Sequence, residues 1–413
     1  MLVVYSLLIS LYGFAIRIAS IFNPKAKQWI NGRKNVFKNL EKSKAEIQNA
    51  IWFHCASLGE FEQGRPLIEM IQKFNPNQRI VLSFYSPSGY EIQKNYAHVD
   101  HIFYLPLDTK SNAVKICNLL KPKVFILVKY EFWFNLLKEL QHNNIPTILI
   151  SGIFRSNQFF FQLYGSQFLK ILANFDQLFV QRKADADLLD SRNFKNFTLS
   201  GDTRLDRVLQ ISNQNFEDEI IIDFIGNHLK VLVAGSTWQQ DENLIKEAIA
   251  KGFLKDYKIL IAPHEIDSNH IETLKNLFSE SQLHSKFTKT SGQILIIDKI
   301  GMLSYIYRYA SIAYVGGGFG KGIHNILEAA VYQLPIVFGP NWQKFEEAHQ
   351  FIENEVAFEV NNSNKLGEIL TNLETEPAKV QHIKDYLNKY NLNNQGVTDN
   401  IFQYLVVNNY IIS

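Results

Sequence analysis

The sequence predicts an α/β chain of two doubly wound, Rossmann-like domains facing a cleft. Two observations carry that prediction: short, continuously apolar runs alternate with helical segments from residue 50 onward, and the same grammar starts again near residue 230. Continuous apolar runs of this length suit strands buried on both faces of a parallel sheet. A third observation is the stretch Ser311 to Pro340, which reads as buried strand, glycine-rich loop, helix and second strand. At 413 residues and 46% hydrophobic composition the chain can bury two cores.

Residues 1–22 form an apolar run interrupted only by Arg17 and a few small or weakly polar residues. A basic stretch with Lys25, Lys27, Arg33, Lys34 and Lys38 follows. A bilayer span takes about 20 apolar residues. The run therefore suits a membrane anchor with Arg17 snorkelling, or an interfacial helix at the headgroups; a buried first helix of a soluble domain fits the same pattern. No positive segment precedes the run and no small-residue cleavage site follows it, which argues against a signal peptide. Both membrane readings put the remaining chain on the cytoplasmic side.

In the first domain, residues 23–207, the expected strands are 51–55, 79–84, 101–105, 124–128, 147–150, 177–180 and 197–200. A helical, polar stretch around 206–227 suits a linker. The second domain, residues 208–390, has expected strands at 230–234, 257–262, 293–297, 312–315 and 335–338. Residues 391–413 are expected to be a C-terminal helix packing back on the first domain. A net charge of +2 lacks the basic field of a nucleic-acid binder, so no nucleic-acid partner is expected. Two cysteines without metal-ligand spacing speak against a disulfide scaffold.

Candidate chemistry sits where strands run into helices. After the first strand, Ser57, Leu58, Gly59 and Glu60 lead into a helix, which delivers Glu60 to the carboxyl edge of the sheet. The helix dipole would favour its ionised form, the state of a general base; the same spacing also fits a capping box on Ser57. Glu131, past the fourth strand, could support Glu60 or an acceptor sugar, or cap the next helix. Arg155 could grip an anionic substrate or be a surface arginine. In the second domain Gly235 and Ser236 open a helix suited to phosphate, and Pro263 and His264 follow the next strand. Gly301 and Met302 start a helix that could face a nucleobase, although Met302 also suits a core. In the glycine loop, Gly317 and Gly318 let backbone approach an anion. His324 and Asn325 are placed at the helix start, with Glu328 one turn on and able to accept ribose hydroxyls. A plain βα turn with a solvated glutamate fits this spacing too.

Taken in order, these motifs resemble the 3-deoxy-D-manno-octulosonic acid (Kdo) transferases of lipid A assembly, a GT-B glycosyltransferase family. The resemblance rests on the H-x-(A/V)-S-(L/V)-G-E turn at His54–Glu60, the S-P-S-G-Y turn at Ser86–Tyr90 and the E-x-W-x-N element at Glu131–Asn135. It continues through G-D-T-R-L-D at Gly201–Asp206, G-S-T-W at Gly235–Trp238, Pro263-His264, and G-G-G-F with H-N-I-L-E-A-A across 316–330. It implies an inverting transfer of Kdo from the donor substrate CMP-Kdo, with no cofactor and no metal, to a lipid A precursor (lipid IVA) at the cytoplasmic face of the inner membrane, within lipopolysaccharide biosynthesis. By resemblance Glu60 is the base, Glu328 holds the CMP ribose beside Asn325, and Gly235, Ser236, His264 and the 316–322 loop surround phosphate and Kdo. The chain departs from the family where Lys129 replaces a glutamate, Pro263 an arginine and Arg204 a lysine. Two other readings stay open: another GT-B sugar-nucleotide enzyme of envelope glycan synthesis, and a catalytically inert membrane-bound scaffold.

Overall fold

The computed structural model describes residues 2–162, 165–288 and 292–411. They form two compact units, one of residues 1–206 with 396–413 and the other of residues 207–395.

The first unit is a parallel sheet of seven strands in the order β3-β2-β1-β4-β5-β6-β7. These are β1 (Ile51–Cys55), β2 (Ile80–Phe84), β3 (His101–Tyr104), β4 (Val124–Val128), β5 (Thr147–Gly152), β6 (Gln177–Val180) and β7 (Phe197–Leu199). Every residue of β1, β2 and β4 is buried, as strands covered by helices on both faces require. The order reverses between β1 and β4, which pair from Ile51 opposite Val124 to His54 opposite Leu127. In a doubly wound sheet ligands bind outside the carboxyl ends of the strands at such a reversal. The segments leaving β1 and β4 carry Glu60 and Glu131.

Helix Val397–Val407 completes this unit. Val397, Ile401, Phe402 and Leu405 are buried in one apolar cluster with Ile51, Phe53 and Ile126. The Asp206 carboxylate accepts the N–H groups of Gly396 (2.7 Å) and Thr398 (2.6 Å), which fixes the start of the helix. The expected boundary at 391 therefore moves to 396. Helix Pro377–Asn394 belongs to the second unit through buried Ile383 and Leu387 and the Asn391 amide on the Ala330 carbonyl.

The amino-terminal helix α1 (Leu2–Ala19) is followed by α2 (Pro24–Arg33). One face of α1 docks on the first unit: the Tyr5 hydroxyl donates to Asp108 (2.7 Å), and Tyr5 and Ile16 pack against its core. The opposite face leaves Val4, Leu7, Leu8, Leu11, Phe14 and Ile18 exposed. Among the described residues no helix is long and apolar enough to cross a membrane.

The second unit repeats the plan, with seven parallel strands in the order β10-β11-β9-β8-β12-β13-β14. They are β8 (Val231–Thr237), β9 (Lys258–Pro263), β10 (Gln282–Leu283), β11 (Ile294–Ile296), β12 (Ile312–Val315), β13 (Ile336–Phe338) and β14 (Ala357–Glu359). Its order reverses between β8 and β12. The two outermost strands, β10 and β14, were not expected from the sequence; they are two and three residues long and carry no apolar run.

Candidate active site

In the first unit, β1 ends at Cys55 and helix Leu58–Phe74 begins with Ser57 at its N-cap. The Ser57 hydroxyl makes no capping bond. Glu60 reaches back instead, its Oε2 accepting the Ala56 N–H at 2.5 Å and a second bond from the Ser57 N–H. Gly59 lies beside it on an open side, where an added Cβ would meet nothing within 4 Å.

The Glu60 side chain is only 5% exposed. Burial first, and the neighbouring Glu131 charge second, push its pKa up to about 8; the Ala56 and Ser57 N–H groups and Lys129 pull the other way and lose. This overturns the expectation that the helix dipole holds Glu60 ionised at neutral pH. Desolvation and a like charge outweigh it.

Glu131 is half-buried, and burial raises its pKa. It follows Lys129, whose φ of 76° lies in the left-handed region and turns the chain sharply as it leaves β4. Glu131 does not cap the next helix, Phe134–His142. Asp108 does, accepting the N–H groups of Asn135 (3.0 Å) and Leu136 (2.9 Å). Arg155 is exposed, with its guanidinium carbon 5.5 Å from the Tyr130 ring centroid.

His54 on β1 is fully buried. Its Nε2 accepts the Trp133 indole N–H at 3.1 Å and its Nδ1 faces Ser83 Oγ at 2.9 Å. Burial lowers its pKa to about 3, so it is neutral, and the indole donor leaves the ring proton on Nδ1. In the G-D-T-R-L-D element, Arg204 is held by Asp202 at 2.5 Å while Asp206 anchors the C-terminal helix. That motif is architectural.

In the second unit, β8 slips register between Gly235 and Thr237 where it pairs with β9, and Ser236 at φ 52° occupies the slip. Backbones crowd here. A Cβ on Gly235 would lie 2.2 Å from Tyr307 Oη, one on Gly316 2.3 Å from the Ser236 carbonyl oxygen, and one on Gly318 2.6 Å from the Gly339 backbone. The buried Asp241 carboxylate ties the loop together. It accepts from the Gly317 N–H (3.0 Å), the Trp238 N–H (2.9 Å) and the Tyr314 hydroxyl (2.7 Å).

The glycine loop is less open to an anion than its composition suggests. The N–H groups of Gly316, Gly320 and Gly322 go to the carbonyls of Gly235, Gly317 and Gly317, and that of Gly317 to Asp241. Among the described residues, the N–H groups of Gly318, Phe319 and Lys321 have no such acceptor. The following helix is also a single turn, Leu327–Ala330, so it starts after His324 and Asn325 rather than at them. The Asn325 side chain accepts the Leu327 N–H (3.3 Å) and donates to Glu328 (3.2 Å).

His264 stacks against both His324 and Trp238, with ring centroids 4.4 Å and 4.6 Å away. The Trp238 indole N–H donates to His324 Nε2 at 3.1 Å. Burial, with His264 beside it, lowers the His324 pKa to about 4, and burial lowers that of His264. Pro263 ends β9 in the core, Met302 is buried as packing, and Gly301 turns the chain at φ 83°. The structure thus brings Gly235, Ser236, His264, Gly317, Gly318 and His324 around the β8–β12 reversal. Trp238, Asp241 and His54 belong to these sites; the sequence offered them only as members of motifs or of a helix start, without a role of their own.

Residues 30–207 match the family model described as 3-deoxy-D-manno-octulosonic-acid transferase (kdotransferase). The chain is 29% identical over 347 residues to the 3-deoxy-D-manno-octulosonic acid transferase of Aquifex aeolicus, covering 81% of this chain and 88% of that protein. It is 25% identical over 406 residues to a bifunctional glycosyltransferase/methyltransferase of Fusobacterium nucleatum, covering 92% of this chain but only 62% of that longer protein. Among solved structures, the UDP-GlcNAc 2-epimerase of Neisseria meningitidis aligns at a TM-score of 0.60 and 13% identity over 86% of this chain and 99% of that one, a likeness of fold alone. Over residues 30–207 and across most of its length, the chain is thus similar to Kdo transferases, which are glycosyltransferases.

Proposed function

We propose that the protein transfers Kdo from CMP-Kdo to a hydroxyl of a lipid A precursor, with inversion, at the cytoplasmic face of the inner membrane. The observation that carries the reading is Glu60, a buried carboxylate at the β1–β4 reversal with a like-charged neighbour. An ionised Glu60 takes the proton of the acceptor hydroxyl as the new glycosidic bond forms. Inversion needs one displacement and one base. A base with a pKa near 8 is stronger than an ordinary carboxylate, and the rate rises as the pH approaches that value.

CMP-Kdo is carried by the second unit. The unsatisfied N–H groups of Gly318 and Phe319 approach the phosphate, and neutral His324, protonated on Nδ1 because Nε2 accepts from Trp238, donates to the departing oxygen. Glu328, oriented by Asn325, accepts the ribose hydroxyls. Support for the membrane surface comes from α1, whose exposed Leu7, Leu11, Phe14 and Ile18 lie beside exposed Lys25, Lys27 and Lys34, an interfacial pattern.

The experiment is direct. Purified protein is incubated with CMP-Kdo and a tetraacylated disaccharide acceptor, and the product is weighed. A mass gain of one or more Kdo units supports the reading; an unchanged acceptor alongside an active control enzyme refutes it.

A further inference from the structure

A cavity of about 510 Å³ lies in the first unit between α1, α2 and the turn that follows β3. From α1 it is lined by Ser10, Gly13, Phe14 and Arg17, and from α2 and its C-cap by Arg33 and Lys34. Ser10, Gly13, Phe14 and Arg17 recur at helical spacing, so they form one flank of α1. Phe14 belongs both to this lining and to the exposed apolar face. The cavity therefore borders that face directly.

Its charge is one-sided. Arg33 is partly buried and donates to the carbonyls of Leu105 (2.8 Å), Trp29 (3.1 Å) and Tyr85 (2.6 Å), with its guanidinium carbon 3.7 Å from the Trp29 ring centroid. Among the described residues no carboxylate pairs with Arg17, Arg33 or Lys34. Burial pushes the Arg33 pKa down to about 9, the direction expected of a cation short of a counter-charge. A desolvated cation without an anionic partner is costly, and a roomy cavity lined by Arg33 together with the exposed Arg17 and Lys34 fits a phosphate.

We propose that this cavity binds the phosphate headgroup of an anionic bilayer phospholipid whose acyl chains lie along the exposed face of α1. Arg17 and Lys34 reach the phosphate from the rim, and Arg33 supplies charge from the cavity wall. Neither Glu60 nor Glu131 lines it. It gives the membrane contact a preference for anionic lipid, beyond apolar burial alone. The proposal rests on the reading of α1 as an interfacial helix, and the test separates the two.

The full chain is titrated calorimetrically with dihexanoyl phosphatidic acid below its micelle concentration, with dihexanoyl phosphatidylcholine, and with inorganic phosphate. Flotation with neutral phosphatidylcholine vesicles is run in parallel. Phosphatidic acid is expected to bind, with a loss of roughly 30-fold in Arg17→Gln/Lys34→Gln, taking each cation near an anionic headgroup at its usual worth. Ser10→Trp, which keeps the charges and fills the cavity, is expected to lose the same binding. Equal affinity in the charge variant, or equal binding of inorganic phosphate, overturns the lipid site. Soluble lipid binding without vesicle flotation overturns the interfacial reading of α1 and leaves the cavity assignment standing. Flotation without soluble lipid binding does the reverse.

Discussion

The two units share one wiring and hold opposite chemistry. Each is a seven-stranded parallel sheet whose order reverses beside its first strand, and each places a buried or partly buried titratable side chain at that reversal. In the first unit the group is an acid, Glu60, whose pKa is raised to about 8 by burial and by Glu131. In the second it is a base, His324, lowered to about 4 by burial and by His264. Burial drives both toward their uncharged forms. Only the acid is left titrating near neutral pH, so the pH response of the enzyme should belong to the first unit. A second parallel sharpens this. Each unit uses a tryptophan indole to fix a neutral histidine, Trp133 on His54 and Trp238 on His324, at 3.1 Å in both cases. The first pair is largely buried; the second is more open and lies at the β8–β12 reversal.

The comparison breaks most sharply at Glu60. Glu60→Gln keeps the volume and removes the base, so transfer should fall by about 10²–10⁴ while CMP binding measured calorimetrically persists. A variant that transfers at the native rate would leave the first unit without its assigned chemistry. In the second unit the corresponding stroke is structural. Gly316→Ala places a methyl 2.3 Å from the Ser236 carbonyl oxygen, backbone that cannot swing aside. Overpacking of that kind costs about 1–3 kcal/mol and should appear as a lower midpoint in thermal unfolding with weakened CMP binding. Trp238→Phe removes a single neutral hydrogen bond to His324, worth about 0.5–1.5 kcal/mol, and should raise the KM for donor a few-fold with little change in the acceptor KM.

Stability should carry the same asymmetry. Glu60 has a folded pKa of about 8 against an ordinary value of 4.5, so between those pH values the folded chain binds more protons than the unfolded one. Its contribution is therefore greatest at low pH and is lost as pH rises from about 4.5 to 8. Denaturant titrations across that window should show a fall that Glu60→Gln flattens.

The long central strands could be read from the sequence because burial on both faces writes them as unbroken apolar runs, as in Ile51–Cys55 and Val124–Val128. The edge strands β10 and β14 could not, being too short for a pattern. Glu60 was legible as a residue at the end of a strand, but its protonation was not. That depends first on burial in the folded unit and then on the charge of Glu131, which lies far along the chain and is brought near only through the sheet order. The glycine loop was legible as a close backbone approach. Its internal use of four N–H groups, one of them on Asp241, was not, since a run of glycines does not say which acceptors it faces. Asp241 reads in sequence as an ordinary first-turn helix acid; its Tyr314 and Gly317 partners come from β12 and the loop that follows it.

The central claim is that a buried, like-charge-paired carboxylate is the proton acceptor. The pH dependence of kcat/KM in native protein and in Glu131→Gln tests it most directly. Removing the Glu131 charge relieves the repulsion that disfavours ionised Glu60, so the rising limb near pH 8 should move toward lower pH in the variant. A limb that stays in place, or a native rate that is flat from pH 6 to 9, would contradict it.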